Sequence, residues 1–240
     1  MPIKPDLSAA IPAHNEEKYI TRCIESIFLS ARLAGRTVEV VVALNRCTDQ
    51  TKNIAESLGA RCVVEDTKCI SAVRNAAVRA TSAPAVVTLD ADSWMSYNIV
   101  AEAIKYIHDS RYIGGGTSIR LERFSVGIMF SVLAIAPYLI GRGASGGMFW
   151  FLRKSFDAIG GFDDSLVSLE DLDFSSRLKA YGKSRGQRYG TIRRNGITTS
   201  SRKFDKFGDW YLFNNPRLVR ELFTGSNQSA ADYFYYDVER

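Results

Sequence analysis

Over the first ninety residues, short apolar runs alternate with stretches of helical spacing. Leu7 to Ile11 is strand-like, and Pro12 is expected to stop it. Asn15 precedes a stretch with Glu16 and Glu17 in its first turn and Ile20, Ile24, Ile27 and Phe28 on one face. That pattern predicts a helix capped by Asn15. Val38 to Leu44 reads as a continuous apolar strand, and Thr48 or Asp49 then caps a second helix ending near Leu58 and Gly59. Cys62 to Val64 is a short strand, Ile70 to Ala80 a helix, and Ala85 to Leu89 a further buried strand. Apolar strands separated by helices imply βαβ units and a mostly parallel sheet, with ligands at the carboxyl ends of the strands.

The pattern changes after about residue 113. Glycines punctuate the chain at 114–116, 141, 143, 146–147 and 160–161, and helices are predicted over Leu169 to Tyr181 and Lys206 to Phe223. No Pro/Ser-rich linker marks a boundary there, so one domain over 1–240 is expected. Phe124 to Ile140 carries no charged residue over 17 positions and contains Gly127 and Pro137. That is the lower edge of what spans a bilayer, and a helix that is buried or lies at an interface is expected.

Composition narrows the class. The 240 residues are 46% hydrophobic and 24% charged, which excludes a disordered chain, a coiled coil or a small disulfide scaffold. A chain of this size buries about 70% of its unfolded surface, enough for a core without a structural metal. Lys and Arg exceed Asp and Glu by 31 − 26 = +5, which suits anionic substrates such as nucleotides. No basic run of five to eight residues appears, so nucleic acid is not an expected partner. Cys23, Cys47, Cys62 and Cys69 form no C-x-x-C, and His14 and His108 stand at no zinc-ligand spacing from them. The first residues lack the apolar run of a signal peptide, so a cytoplasmic protein is expected.

Two acidic pairs carry candidate chemistry. Asp90-Ala91-Asp92 directly follows the strand ending at Leu89. Two carboxylates at a turning strand end suit a hard divalent ion, magnesium or manganese, that also holds phosphate oxygens. The plainer reading is a solvated turn that caps the next helix. Glu170-Asp171 opens an amphipathic segment, where acidic residues either complement a helix N-terminus or serve as a general base. Gly141-Arg142-Gly143-Ala144-Ser145-Gly146 matches G-x-G-x-x-G but follows an apolar helix instead of a short strand, so a dinucleotide site is set aside.

Further segments join these. Ile11-Pro12-Ala13-His14-Asn15-Glu16-Glu17 follows the first strand and Asn45-Arg46-Cys47-Thr48-Asp49-Gln50-Thr51 the second. Ser71-Ala72-Val73-Arg74-Asn75, Leu89-Asp90-Ala91-Asp92, Gly160-Gly161-Phe162-Asp163 and Glu170-Asp171 come later. In this order and spacing, from about Leu7 to about Gly182, they resemble the family 2 glycosyltransferases. The resemblance implies an α/β, Rossmann-like GT-A domain with a mostly parallel central sheet flanked by helices. It implies a nucleotide-sugar-binding half over about 1–113 and an acceptor half over about 114–240. It further implies a cytoplasmic-facing enzyme that moves a sugar from a nucleoside diphosphate to an acceptor hydroxyl, generally with inversion and with a divalent metal. By similarity, Pro12, Ala13, Asn15 and Glu16 line the nucleoside pocket, and Arg74 reaches the base or the phosphates. Asp90 contacts ribose or metal, Asp92 binds manganese or magnesium at the diphosphate, and Asp171 is the base.

Two departures qualify the resemblance. Asn45 stands where the family usually has a carboxylate facing the nucleotide base, which leaves the base open between uracil and guanine; a UDP-sugar donor is favoured and a GDP-sugar is the alternative. The Q-x-x-R-W segment of processive synthases is absent, and Ser201-Arg202-Lys203-Phe204 stands in that region, which favours single addition. The acceptor is left open between a saccharide and a lipid-linked molecule met peripherally at a membrane. Phe149-Trp150-Phe151 and Tyr233-Phe234-Tyr235-Tyr236 either stack on sugar rings or pack in the core. A nucleotidyltransferase is the first alternative, although the acidic loop after strand one lacks the glycines and basic residues such an enzyme needs. A non-catalytic nucleotide-binding member is the second, and the retained Asp92 and Asp171 speak against it.

Overall fold

In the computed structural model, residues 4–140, 147–166 and 169–224 are described. The Gly141 to Gly146 motif and the run Tyr233 to Tyr236 lie outside them. Eight strands are formed: β1 (Leu7–Ala13), β2 (Val38–Leu44), β3 (Arg61–Val64), β4 (Ala85–Leu89), β5 (Ser93–Met95), β6 (Tyr112–Leu121), β7 (Met148–Leu152) and β8 (Arg188–Thr199). They make one sheet in the order β3-β2-β1-β4-β7-β6-β8-β5. The first four in that order are mutually parallel. β7 runs antiparallel to both β4 and β6, β6 and β8 are parallel, and β5 returns antiparallel on β8. All strands but β5 and β7 therefore point the same way, and the carboxyl ends of β1, β2 and β4 share one edge.

The helices α1 (Ile20–Leu33), α2 (Thr51–Ser57), α3 (Ile70–Ala80) and α4 (Ile99–His108) alternate with the early strands. Two apolar cores form, one on each face of the sheet. Ile20, Ile24 and Ile27 of α1 join Ile11, Val42, Val87 and Trp150, while Val73, Ala77 and Val78 of α3 join Val86, Phe149 and Phe151 on the other face. The alternation of β7 divides its aromatics between them, as a two-residue strand period requires. Phe149, Trp150 and Phe151 are all buried, so these three are core residues and not a sugar platform.

Several boundaries differ from the sequence reading. β1 continues through Pro12 to Ala13: its pairing with β4 ends at Ala10, so the missing N–H falls beyond that ladder. α1 starts at Ile20 with Tyr19 at its cap, because Asn15 takes a left-handed conformation (φ 52°) and turns its side chain elsewhere. β6 and β8 were hidden by their glycines. A Cβ on Gly115 would sit 2.1 Å from the Gly190 carbonyl oxygen and 2.3 Å from the Trp150 ring, so glycine is the residue that lets β6, β7 and β8 close together. The single helix expected over Lys206 to Phe223 is three: α8 (Arg202–Phe207), α9 (Tyr211–Asn214) and α10 (Pro216–Thr224). Gly208 with φ 91° separates the first two, and Pro216 opens the third. The uncharged stretch forms α5 (Val126–Ile140), α6 spans Arg153–Ala158, and α7 (Glu170–Ser184) begins after Leu169 in a left-handed turn.

Candidate functional site

The loops after β1 and β2 are laced together by reciprocal bonds. Asn15 Oδ1 accepts from the Thr48 N–H (2.8 Å), Asp49 Oδ2 from the Glu17 N–H (3.0 Å), and Glu17 Oε2 from the Gln50 N–H (3.1 Å). The Glu16 N–H donates to Thr51 Oγ1 at 2.7 Å. Asn15 thus bridges two loops where a helix cap was expected. Pro12 and Ala13 end β1 and are buried, and the Ala13 carbonyl accepts from the Asn45 N–H at 2.8 Å. Asn45 is buried, and its Nδ2 donates to the carbonyls of Glu65 (2.6 Å) and Thr67 (2.8 Å). Both amide hydrogens are spent, so the side chain presents Oδ1, an acceptor.

Two ion clusters stand at the same sheet edge. In the first, Arg74 on α3 extends from the buried face of its helix. Its Nη1 lies 2.7 Å from Asp90 Oδ1 and its Nε 3.4 Å from Glu170 Oε1. The guanidinium also lies 5.7 Å from the centre of the Phe162 ring. The Phe162 loop is pinned from α3: Asn75 Oδ1 accepts from the Phe162 N–H (2.9 Å), and Asn75 Nδ2 donates to the Phe162 carbonyl and to Asp164 Oδ1, both at 2.8 Å. Gly161 sits directly under Asn75, at φ 75°, where a Cβ would lie 2.6 Å from Oδ1. The turn that precedes α7 is thereby fixed against α3.

Burial works against the charges of Arg74, Glu170 and Asp171, and neighbours decide the outcome. Desolvation raises the Glu170 carboxyl to about 7, Asp171 pushes it the same way, and Arg74 opposes. Asp171 is raised by burial too, with Arg74 and the Leu172 N–H working against the rise. Arg74 stays charged because Asp90 and Glu170 outweigh its desolvation. The two adjacent carboxylates differ in attachment. Glu170 is buried and turned to Arg74, while Asp171 keeps part of its surface open and accepts from the neighbouring Leu172 N–H at 2.9 Å.

The second cluster was not foreseen. Arg202, the first residue of α8, forks onto the Glu16 carboxylate at 2.7 and 3.1 Å and reaches Asp92 Oδ2 at 3.0 Å. The Ser200 hydroxyl donates to the same Asp92 oxygen at 2.9 Å. Burial works against the Arg202 charge, and Asp92 and Glu16 more than offset it. The sequence held one signal of this, a basic residue in the segment that replaces the synthase motif. Its partners lie 186 and 110 residues away, a pairing that no local pattern carries.

The Asp90-Ala91-Asp92 carboxylates are hard oxygen donors at the strand end, the chemistry that manganese or magnesium prefers. They are turned to different arginines, and among the described residues no three or more His, Cys, Asp or Glu converge in a metal-binding group. The residue types fit a divalent ion whose remaining ligands are phosphate oxygens, provided that it competes with Arg202 for Asp92.

The family model for glycosyl transferase family 2 matches residues 8–160. The chain belongs to that family. A search of curated proteins gave no significant match. Among solved structures, S. aureus TarS residues 1–349 in complex with UDP is similar at 18% identity and TM-score 0.61, covering 95% of this chain and 69% of that one. Against a longer TarS chain the coverage is 42%. The mannosyltransferase PcManGT from Pyrobaculum calidifontis, in complex with GDP-Man and Mn2+, is similar at 17% identity and TM-score 0.62, covering 98% and 71%. Glucosyl-3-phosphoglycerate synthase from Mycobacterium tuberculosis, with Mn2+, UDP and glucosyl-3-phosphoglycerate, gives 18%, 0.57, 92% and 80%. These likenesses make the fold GT-A, as the sequence reading expected. No described helix is long and apolar enough to cross a membrane.

Proposed function

We propose that this family 2 member transfers one sugar from a nucleoside diphosphate to an acceptor hydroxyl, with inversion, by residues gathered at the ends of β1, β2 and β4. The observation that supports it best is the meeting of Arg74, Asp90 and Glu170 beside a less engaged Asp171. In this reading Pro12, Ala13, Asn15 and Glu16 form the nucleoside wall. Asn45 offers Oδ1 to an N–H on the base, an edge that uracil and guanine both have, and a UDP-sugar remains the favoured donor. Arg74 is charged and held by two carboxylates, so it is oriented before a diphosphate arrives. Glu170 positions Arg74, and Asp171 takes the proton of the attacking hydroxyl. Inverting attack needs one base and no enzyme nucleophile, so the reading calls on no activated Ser, Cys or Lys. Asp92 and Asp90 would hold a manganese or magnesium ion, which supplies positive charge to the leaving diphosphate when bound.

The donor half of the site comes from residues before about 113 and the acceptor half from those after it, with Glu170 and Arg202 crossing over to hold Arg74, Glu16 and Asp92. A cytoplasmic setting and a saccharide or lipid-linked acceptor complete the reading. A thermal-shift screen of UDP- and GDP-sugars with and without manganese tests it. A donor that binds only the native chain raises stability by about 2.7 kcal/mol at a hundredfold excess over Kd. A flat response to every nucleotide sugar, with and without metal, would overturn the proposal.

A further inference from the structure

The helix α5 is apolar on all sides yet only half covered. Gly127, Ile128 and Ser131 are buried toward α9, where a Cβ on Gly127 would lie 2.8 Å from Asp209 and Trp210. α5 rests on helices, with Ile135 and Tyr138 joining Leu212, Val219 and Leu222. Its other side shows Val126, Met129, Phe130, Leu133 and Pro137 to solvent at helical spacing, a stripe where a surface helix normally carries polar residues. Trp210 stacks on Phe130 at 5.5 Å and Phe213 meets the same ring at 5.4 Å, and both are nearly half exposed. A contiguous apolar patch of this kind marks an interaction surface.

We infer that this face docks on an anionic lipid bilayer, with α5 lying in the plane of the interface. Fifteen residues make about 22 Å of helix, short of a hydrocarbon core of about 30 Å, so α5 can lie in a membrane surface but not cross it. The two segments that build the patch, 120–140 and 202–224, hold seven Lys and Arg against four Asp and Glu, 7 − 4 = +3. Arg202 among them is turned to Glu16 and Asp92 in the donor site, which leaves 6 − 4 = +2 on the segments around the patch, the sign that anionic headgroups favour. A second copy is the poorer occupant: a two-fold contact sets the same patch against itself and brings two net-positive surfaces together. Trp210 adds an amphipathic ring suited to the headgroup level.

The patch also adjoins the donor site. The Arg123 N–H, one residue before Phe124, donates to Ser201 Oγ at 3.3 Å, and Arg202 beside Ser201 holds Glu16 and Asp92. An acceptor anchored in that bilayer would therefore meet the site from the α5 side. This last step rests on the proposed transferase reading; the docking itself does not.

Co-sedimentation of the full chain with phosphatidylcholine vesicles, with and without phosphatidylglycerol, tests the inference. Binding is expected to require phosphatidylglycerol and to fall as salt is raised. The double variant Val126→Gln/Leu133→Gln, which changes two residues each 56% exposed, should bind at least about tenfold more weakly at an unchanged melting temperature. If that variant melts early, the lipid-composition and salt responses of the wild-type chain decide alone. Failure to sediment with anionic vesicles, equal binding to both vesicle types, or a dimer that the same variant dissociates would overturn it. Donor-dependent stabilisation is read separately, so vesicle binding without a donor response would sink the transferase reading and leave this one standing.

Discussion

The sheet has two halves that are held in different ways. In β3-β2-β1-β4, the site loops are tied by bonds between neighbours in a parallel array, such as Asn15 to Thr48 and Glu16 to Thr51. In β7-β6-β8-β5, close contact depends on small residues: Gly115 and Gly190 pack under Trp150, whose Nε1 donates to the Gly116 carbonyl at 3.0 Å. The site lies on the seam, where Arg74 meets Glu170 and Glu16 and Asp92 meet Arg202. The first half builds a cradle by itself, and the second closes it with charges brought from far along the chain.

Cutting the seam is the harshest way to break this division. Arg202→Gln leaves Glu16 and Asp92 as buried charges without their cation, and a loss of about 3–5 kcal/mol in urea-melt stability is expected. An Arg202→Gln chain as stable as wild type would show that the two halves do not depend on this contact. Gly115→Ala attacks the second half alone. Its methyl meets backbone at Gly190, where no rotamer change relieves it, so about 3 kcal/mol of stability should go, read by the same melt. Arg74→Ala sharpens the functional side: nucleoside diphosphate affinity, by calorimetry, should fall by about 1.5–3 kcal/mol through loss of a charge-assisted bond. Asp92→Asn should abolish the manganese-dependent part of that binding and keep the metal-free part.

The smallest effect is in pH. Folding raises the Glu170 carboxyl from its ordinary 4.5 to about 7 and raises Asp171 as well, so the folded chain holds protons that the unfolded one has released. The resulting stability is fully present below about 4.5 and is lost as pH rises through about 7. Glu170→Gln should flatten melting temperature across that window; an unchanged slope would remove Glu170 as its source.

How much of this was legible in sequence follows the same seam. Strands made mostly of β-branched and apolar residues, such as Val38–Leu44 and Ala85–Leu89, declared themselves by composition, and with them the edge that bears the site. β6 did not, because Gly114-Gly115-Gly116 reads as a turn unless the Trp150 and Gly190 that demand it are seen across the sheet. Asn15 has the residue type of a cap, and only the facing Thr48 amide reveals the bridge it makes. Neither the pairings within the loop cluster nor those across the seam were readable, since Asn15 and Thr48 looked like separate caps and the partner of Glu16 is 186 residues on.

The central claim is the division of labour between two adjacent carboxylates, Glu170 holding Arg74 and Asp171 free to take a proton. Steady-state transfer by Asp171→Asn and Glu170→Gln, measured beside donor affinity, tests it most directly. Asp171→Asn keeps the volume and removes the basicity, so kcat should fall on the order of 10²–10⁴-fold with donor affinity little changed. Glu170→Gln should weaken donor binding through a loosened Arg74 and spare most of kcat. Full turnover in Asp171→Asn together with a dead Glu170→Gln would contradict the account.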